Sequence, residues 1–370
     1  MWVGLPKEIK NEEHRVGLTP HSVYELVANG HQVLVEKNAG NDIGFKDEHY
    51  LRAGATILEN VAEIYAKSDL IVKVKEPQPT EYSLLREGQL LFAYLHLAPN
   101  PALTEAIIKS NCIAIAYETV TGRYGDLPLL SPMSQVAGRL AVQVGAHCLQ
   151  KPQGGSGILL GGVPGVAPGK IVVLGGGVVG TNSIRIAIGM EAEVTVLDRS
   201  LHRLEALDLQ FGGRINTLFA TQAAIAEKVA SADLVIGAVL VPGESAPKLV
   251  NRKMLANIRP GSVMVDVAID QGGCFETSIP TSHTHPTYLV DEIVHYCVTN
   301  MPGAVPRTST LALNNATLPF ILELANKKEK AFQEDIHLLQ GLNVYYGNII
   351  HEGVAKAFNK PVKSYEEVKR

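Results

Sequence analysis

Residues 171–198 constrain this chain more than any other stretch. An apolar run, Ile171-Val-Val-Leu174, breaks into Gly175-x-Gly177-x-x-Gly180, continues through a helix-compatible segment and returns as Val194-Thr-Val-Leu-Asp198. Strand, glycine turn, helix and second strand make a βαβ unit with a dinucleotide fingerprint. The three glycines serve a tight turn, the close approach of backbone to a pyrophosphate, and the packing of helix on sheet. The helix start that follows offers unpaired N–H groups and a positive dipole end to phosphates. Asp198, 18 residues past the last glycine, stands where a carboxylate binds both hydroxyls of the adenosine ribose. A 2′-phosphate there would meet like charge, at roughly 4 kcal/mol per unit-charge pair near a surface. NAD is therefore expected rather than NADP.

A chain of 370 residues should hold two domains. With 46% hydrophobic and 19% charged residues and a formal charge of −4, it has globular composition and nothing that suits a polyanion, so no nucleic-acid partner is expected. Cys112, Cys148, Cys274 and Cys297 show no CxxC spacing and read as reduced, buried thiols of a cytoplasmic protein. No uninterrupted apolar run is long enough to span a membrane.

The first 128 residues alternate strand and helix on their own account. Trp2 to Leu5, Gln32 to Glu36, Leu70 to Lys75, Leu90 to Leu95 and Ile113 to Ala116 read as strands, and Thr19-Pro20 as a helix cap followed by proline at the first helical position. A parallel α/β sheet is expected. Such sheets bind ligands beyond the carboxyl ends of their strands, and three polar residues fall there: Arg15 after the first of these strands, Lys75 closing the third, His96 after the fourth. Each alone is compatible with an ordinary surface or strand-end role. Together they predict one rim carrying a guanidinium, an ammonium and an imidazole.

Ser131-Pro132 starts a long linking helix with Ser134 in its first turn, and Val136, Leu140, Val144 and Cys148 recur every four residues. Gln153 to Gly169 follows, rich in glycine yet carrying Ile158, Leu159, Leu160 and Val163, which predicts a loop packed near a cleft. Beyond the fingerprint, Ile215 to Ala220, Leu234 to Val239, Val263 to Val267 and Val294 to Val298 complete six strands of a doubly wound dinucleotide fold. The ends of its fourth, fifth and sixth strands, at Val239-Leu-Val-Pro-Gly243, Val267-Ala-Ile-Asp270 and Thr299-Asn-Met-Pro302, should border the cofactor, with Asp270 facing the cleft of Arg15, Lys75 and His96. From Pro306 the pattern turns helical, with Leu311, Leu318, Ile321, Leu322 and Leu324 core-like and no sheet of its own; Lys360 to Arg370 should fray. The expected organisation is α/β with two doubly wound parallel sheets. A discontinuous flavodoxin-like substrate domain (1–128 and 306–370) would flank a Rossmann NAD domain (129–305), with two crossings as a hinge. His351-Glu352 lacks the second His of a zinc helix, so no metal site is expected.

These groups suit a small 2-amino or 2-oxo acid beside a nicotinamide. A guanidinium holds a carboxylate bidentately, an ammonium at Lys75 polarises a carbonyl, and His96 moves protons near neutral pH. Asp270 binds an ammonium or assists His96.

Over essentially its whole length the chain resembles the L-alanine dehydrogenase family. The likeness rests on Gly4-Leu-Pro-Lys-Glu, Arg15-Val-Gly-Leu-Thr-Pro20, Val72-Lys-Val-Lys-Glu-Pro77, Tyr94-Leu-His-Leu-Ala98, Leu159-Leu-Gly-Gly-Val-Pro-Gly165, Val265-Asp-Val-Ala-Ile-Asp-Gln-Gly-Gly-Cys274 and Asn300-Met-Pro302. The resemblance implies Arg15 and Lys75 as substrate ligands and His96 and Asp270 as the acid/base pair. It further implies NAD contacts from Ser134, Val178, Val179, Asp198, Arg203, Val239, Leu240, the loop Val267, Ala268, Ile269 and Asp270, and the loop from Val298 through Asn300 to Met301. The implied reaction is reversible oxidation of alanine by NAD and water to pyruvate and ammonium, in a homohexamer. Ala220 and Ile279 depart from the Ser and Arg that some members carry near the cofactor; each lost hydrogen bond is worth about 0.5–1.5 kcal/mol. Two rivals remain: the NAD-binding, hydride-transfer component of a transhydrogenase, which resembles the chain in the same segments but has no use for a small-acid pocket, and a non-catalytic NAD-sensing module.

Overall fold

In the computed structural model residues 1–239 and 246–369 are described, and the chain divides into two compact units, 1–133 with 305–370, and 134–304. The first unit opens with six strands: β1 (Trp2–Leu5), β2 (Gln32–Glu36), β3 (Thr56–Leu58), β4 (Leu70–Val72), β5 (Leu90–Ala93) and β6 (Ile113–Ala116). They run parallel in the order β6-β5-β4-β1-β2-β3. β4, β5 and β6 are buried along their whole length, as expected of strands covered on both faces by helices. Thr19 caps the helix Pro20–Ala28, its hydroxyl accepting from Ser22 N at 3.1 Å. β3 escapes the sequence pattern because one exposed and two half-buried residues carry no readable alternation. The strand containing Leu70 stops at Val72, so Lys75 lies in the loop beyond its end.

The second unit holds β7 (Lys170–Leu174), β8 (Glu193–Asp198), β9 (Asn216–Phe219), β10 (Leu234–Gly237), β11 (Val263–Asp266), β12 (Thr287–Val290) and β13 (Ile293–Tyr296). Their order is β12-β13-β11-β10-β7-β8-β9. All pairs are parallel except β12 with β13, so the six expected strands gain one antiparallel edge strand. The order reverses between β7 and β10, the place where a doubly wound sheet opens a crevice. The glycine-rich segment 153–169 is not where its apolar content suggests. It lines a cavity of about 670 Å³ with Lys170, Asp233 and Arg259, at the amino-terminal edge of the sheet and opposite the edge that carries Gly175. Leu159, Val163 and Val166 are exposed there rather than packed near a cleft.

From Pro306 the chain returns to the first unit, and two expectations are corrected. The tail does contribute to a sheet: β14 (Leu342–Tyr345) pairs antiparallel with β6, and β15 (Asn348–Ile349) with β14. A four-residue strand whose partner lies more than 200 residues away leaves no periodic trace. Nor does the end simply fray, because Tyr365 is buried against Tyr345 and Phe332. The helix Pro306–Lys327 buries Leu313, Ile321 and Leu324 but exposes Leu311. Much of its inner face is polar, with Ser309, Thr310, Asn314 and Thr317 all buried. No helix among the described residues is long and apolar enough to cross a membrane.

Candidate active site

Arg15, Lys75 and His96 follow β1, β4 and β5, which are neighbours in one parallel sheet, so all three lie at its carboxyl edge. The loop bearing Arg15 is held by the polar face of the helix Pro306–Lys327. Val16 N donates to Thr310 Oγ1 (3.2 Å), and Thr19 N to Asn314 Oδ1 (2.7 Å). Arg15 is only 2% exposed, and its Nε and Nη2 form a two-point pair with Glu13 at 2.7 and 2.6 Å. Its Nη1 lies 3.1 Å from the sulfur of Met133. The bidentate edge expected to serve a ligand is thus spent on an internal carboxylate. Burial pushes the Glu13 carboxyl upward, but the hydrogen bonds and charge of Arg15 outweigh it and hold it below the ordinary carboxylate range.

Lys75 is half-buried, and burial together with the charge of Arg15 draws its ammonium below the ordinary lysine value. The backbone at Lys75 is fixed by Glu8, whose Oε1 accepts from Val74 N (2.6 Å) and Lys75 N (3.4 Å). Glu8 and Glu81 in turn flank the fully buried Lys73 at 3.3 and 3.1 Å.

His96 is exposed, at φ +46°, and its ring lies parallel to that of Tyr94, 8° apart in plane and 6.1 Å between centroids. Glu118 anchors it: Oε1 accepts from His96 N at 2.6 Å and stands 3.8 Å from Nδ1. Glu13, Glu8 and Glu118 were missed in the sequence. Glu118 had a signal, since it follows the end of β6 just as His96 follows β5.

In the second unit, Gly175 takes φ +99°, and a Cβ on Gly180 would lie 1.9 Å from the Gly175 carbonyl oxygen. Gly177 precedes the helix Val178–Gly189, which has no side-chain cap, and a Cβ there would meet nothing within 4 Å. Open space above uncapped N–H groups is what a pyrophosphate needs. Asp198 is oriented by Gly176 N (2.7 Å, to Oδ2) and Ser200 N (2.8 Å, to Oδ1). Two backbone donors leave lone pairs for ribose hydroxyls. Arg203 donates to Gly176 O and Thr181 Oγ1, so it braces the glycine loop. Beside Asp198 a cavity of about 200 Å³ is walled by Gly175, Ala220, Ile225, Val239 and Leu249, apolar and suited to the flat face of a purine. Ala220 is therefore on its wall, whereas Ile279 is 61% exposed. These features fit a bound NAD. The larger cavity lies at the wrong end of the strands, and its Asp233 is spent on Lys170 N and Arg259.

Of the remaining expected contacts, some sit on the segments that follow β11 and β13 and others in helices. Asp270 is exposed on the turn Ile269–Gln271 after β11, behind half-buried Val267 and buried Ala268 and Ile269. Val298 and Met301 are buried and frame Asn300, at φ +56°. Ser134 is half-buried in the helix Ser131–Cys148, and Val178 is exposed beside buried Val179 at the helix start. Leu240 lies outside the described residues.

Models of the alanine dehydrogenase/PNT amino-terminal and carboxy-terminal domains match residues 4–137 and 141–352. The chain belongs to the alanine dehydrogenase/PNT family. It is 57% identical to the alanine dehydrogenase of Halomonas elongata over 97% of both chains. It is 54% identical to alanine dehydrogenase 2 of Staphylococcus aureus strain USA300 over 99% of both. A solved L-alanine dehydrogenase superposes with a TM-score of 0.95 at 53% identity, covering 97% of this chain and 99% of that one. The transhydrogenase of Sinorhizobium meliloti superposes with a TM-score of 0.80 at 26% identity, covering 95% and 99%. Within the family the sequence thus stands far nearer its dehydrogenase members.

Proposed function

We propose that this chain is an NAD-dependent L-alanine dehydrogenase, which interconverts alanine with pyruvate and ammonium. The observation that carries the reading is the placement of Arg15, Lys75 and His96 at the carboxyl ends of three neighbouring parallel strands, in a chain that also has a complete dinucleotide fold and is 57% identical to an alanine dehydrogenase. A transhydrogenase component has no use for a small-acid pocket. The reading assigns 1–128 with 306–370 to the substrate and 129–305 to NAD, and requires Asp270 to address the molecule that Arg15, Lys75 and His96 address.

NAD, when bound, accepts the hydride from Cα of alanine. Arg15 holds the substrate carboxylate, its guanidinium kept in place by the two-point pair with Glu13. Lys75 faces the substrate's amino-bearing carbon. Its lowered pKa, from burial and Arg15, suits a group that must both tolerate a developing iminium and stabilise oxygen charge in the reverse direction. His96 takes the proton of the attacking water, steadied by Tyr94 and Glu118. His96 then returns that proton to the leaving nitrogen, while the Asp270 carboxylate accepts the hydroxyl proton as the carbonyl forms. Asp198 selects NAD by repelling a 2′-phosphate.

The protein works in the cytoplasm, a reading supported by four buried free thiols. It assembles as a homo-oligomer, a hexamer by the family resemblance, which would cover the exposed Leu159, Val163 and Val166. Light scattering after size exclusion tests the assembly, and a monomer peak refutes it. NADH formation with alanine, then with serine and 2-aminobutyrate, and NADH consumption with glyoxylate and ammonium, test the chemistry. No alanine-dependent NADH, or hydride passing from NADPH to an NAD analogue instead, overturns it.

A further inference from the structure

The loop that carries Asp270 is gripped by two charged side chains with no assigned role. From inside, Asp266, the fully buried last residue of β11, collects donors. Its Oδ1 accepts from Ala268 N (3.1 Å), and its Oδ2 from Cys274 N (2.7 Å), Phe275 N (3.3 Å) and Ser278 Oγ (2.5 Å). From outside, Lys248 Nζ donates to three carbonyls of the same loop: Gly272, Gly273 at 3.0 Å and Phe275 at 3.1 Å. An ammonium has three donors and no acceptor, so these three oxygens use all it offers.

The grip extends along the backbone of the segment that bears Lys248. Ala246 N donates to Gln271 O (2.9 Å), Leu249 N to Cys274 O (2.7 Å), and Glu276 N to Val250 O (2.9 Å). Gly272 and Gly273 both take positive φ, +91° and +79°. A side chain on Gly273 would come within 2.6 Å of Asp266 Oδ2, so the carboxylate fills the space under the turn. Two successive glycines offer little conformational resistance of their own; the charges on either side supply it.

We propose that Lys248 and Asp266 are positioning residues for Asp270, holding the turn Ile269–Gln271 where its carboxylate meets the substrate. This rests on the role given to Asp270 above. Asp266 is deeply buried and Asp266→Asn threatens folding, so the test uses the surface-borne Lys248. In the full-length protein Lys248→Met should lower kcat for alanine oxidation about tenfold or more while KM for alanine stays within about twofold, because the carboxylate-holding rim is untouched. Lys248→Arg, which keeps the charge and the donors, should restore most of the rate. Hydrogen exchange gives a readout independent of turnover: amides of residues 268–278 should exchange about tenfold faster in Lys248→Met and near wild-type rates in Lys248→Arg. Wild-type exchange in Lys248→Met overturns the clamp, and faster exchange with unchanged kcat overturns its link to Asp270. Wild-type protein inert toward alanine would sink the functional reading, and the exchange comparison would still decide the clamp.

Discussion

Each side chain at the rim is governed by a carboxylate behind it. Glu13 fixes Arg15, Glu8 fixes the backbone at Lys75, and Glu118 fixes that at His96. His96→Ala should lower turnover about a hundredfold or more, the ordinary weight of a positioned acid/base group, with NADH affinity by fluorescence unchanged; equal turnover would remove His96 from the chemistry. Glu13→Gln tests the support. The folded-state carboxyl of Glu13 titrates below its ordinary value despite burial, because of Arg15. It therefore contributes stability that is present above about pH 4.5 and lost as pH falls through the lower folded value. At neutral pH the variant should lose about 3–5 kcal/mol, the cost of orphaning a buried partner. The difference from wild type in urea unfolding should shrink in the acid range; a constant difference at every pH would assign the loss to packing.

At the scale of elements, the glycine loop was legible because everything it needs lies within residues 171–198. Gly180 has no room for a methyl group beside the Gly175 carbonyl. Gly180→Ala should shift the helix start, weaken NADH about tenfold or more by fluorescence titration and lower stability by about 1–3 kcal/mol, the ordinary cost of overpacking. Unchanged affinity would show that the phosphates do not rest there. The helix Pro306–Lys327 was legible as a helix but not in its work. The eye follows leucines, whereas the residues that hold the Arg15 loop are Thr310 and Asn314. Likewise the apolar residues of segment 153–169 carry no information on where that segment lies. Hydrophobicity reports that a surface needs a partner, not which edge of the sheet it occupies.

For the whole molecule, the first sheet is finished by a strand from the far end of the chain. β14 covers β6, which would otherwise be an apolar edge. A chain ended at Gln340 should lose soluble yield about tenfold, judged by the soluble fraction on expression, since open hydrophobic edges aggregate. A fully soluble, cooperatively melting truncation would show that β14 is dispensable.

The sequence by itself determined the fold class, the fingerprint, the preference for NAD and the strand ends at which Arg15, Lys75, His96 and Asp270 stand. These are properties of short windows, in which glycine spacing, capping residues and apolar runs act on their immediate neighbours. Only the tertiary structure decided what holds those residues: Thr19 on Asn314 across 295 positions, β14 on β6, Lys248 on the carbonyls after Asp270. Polar partners of this kind are chosen by the burial that folding creates, and a buried carboxylate or ammonium is tolerated only where the fold brings its counterpart, a condition that leaves no period in the chain.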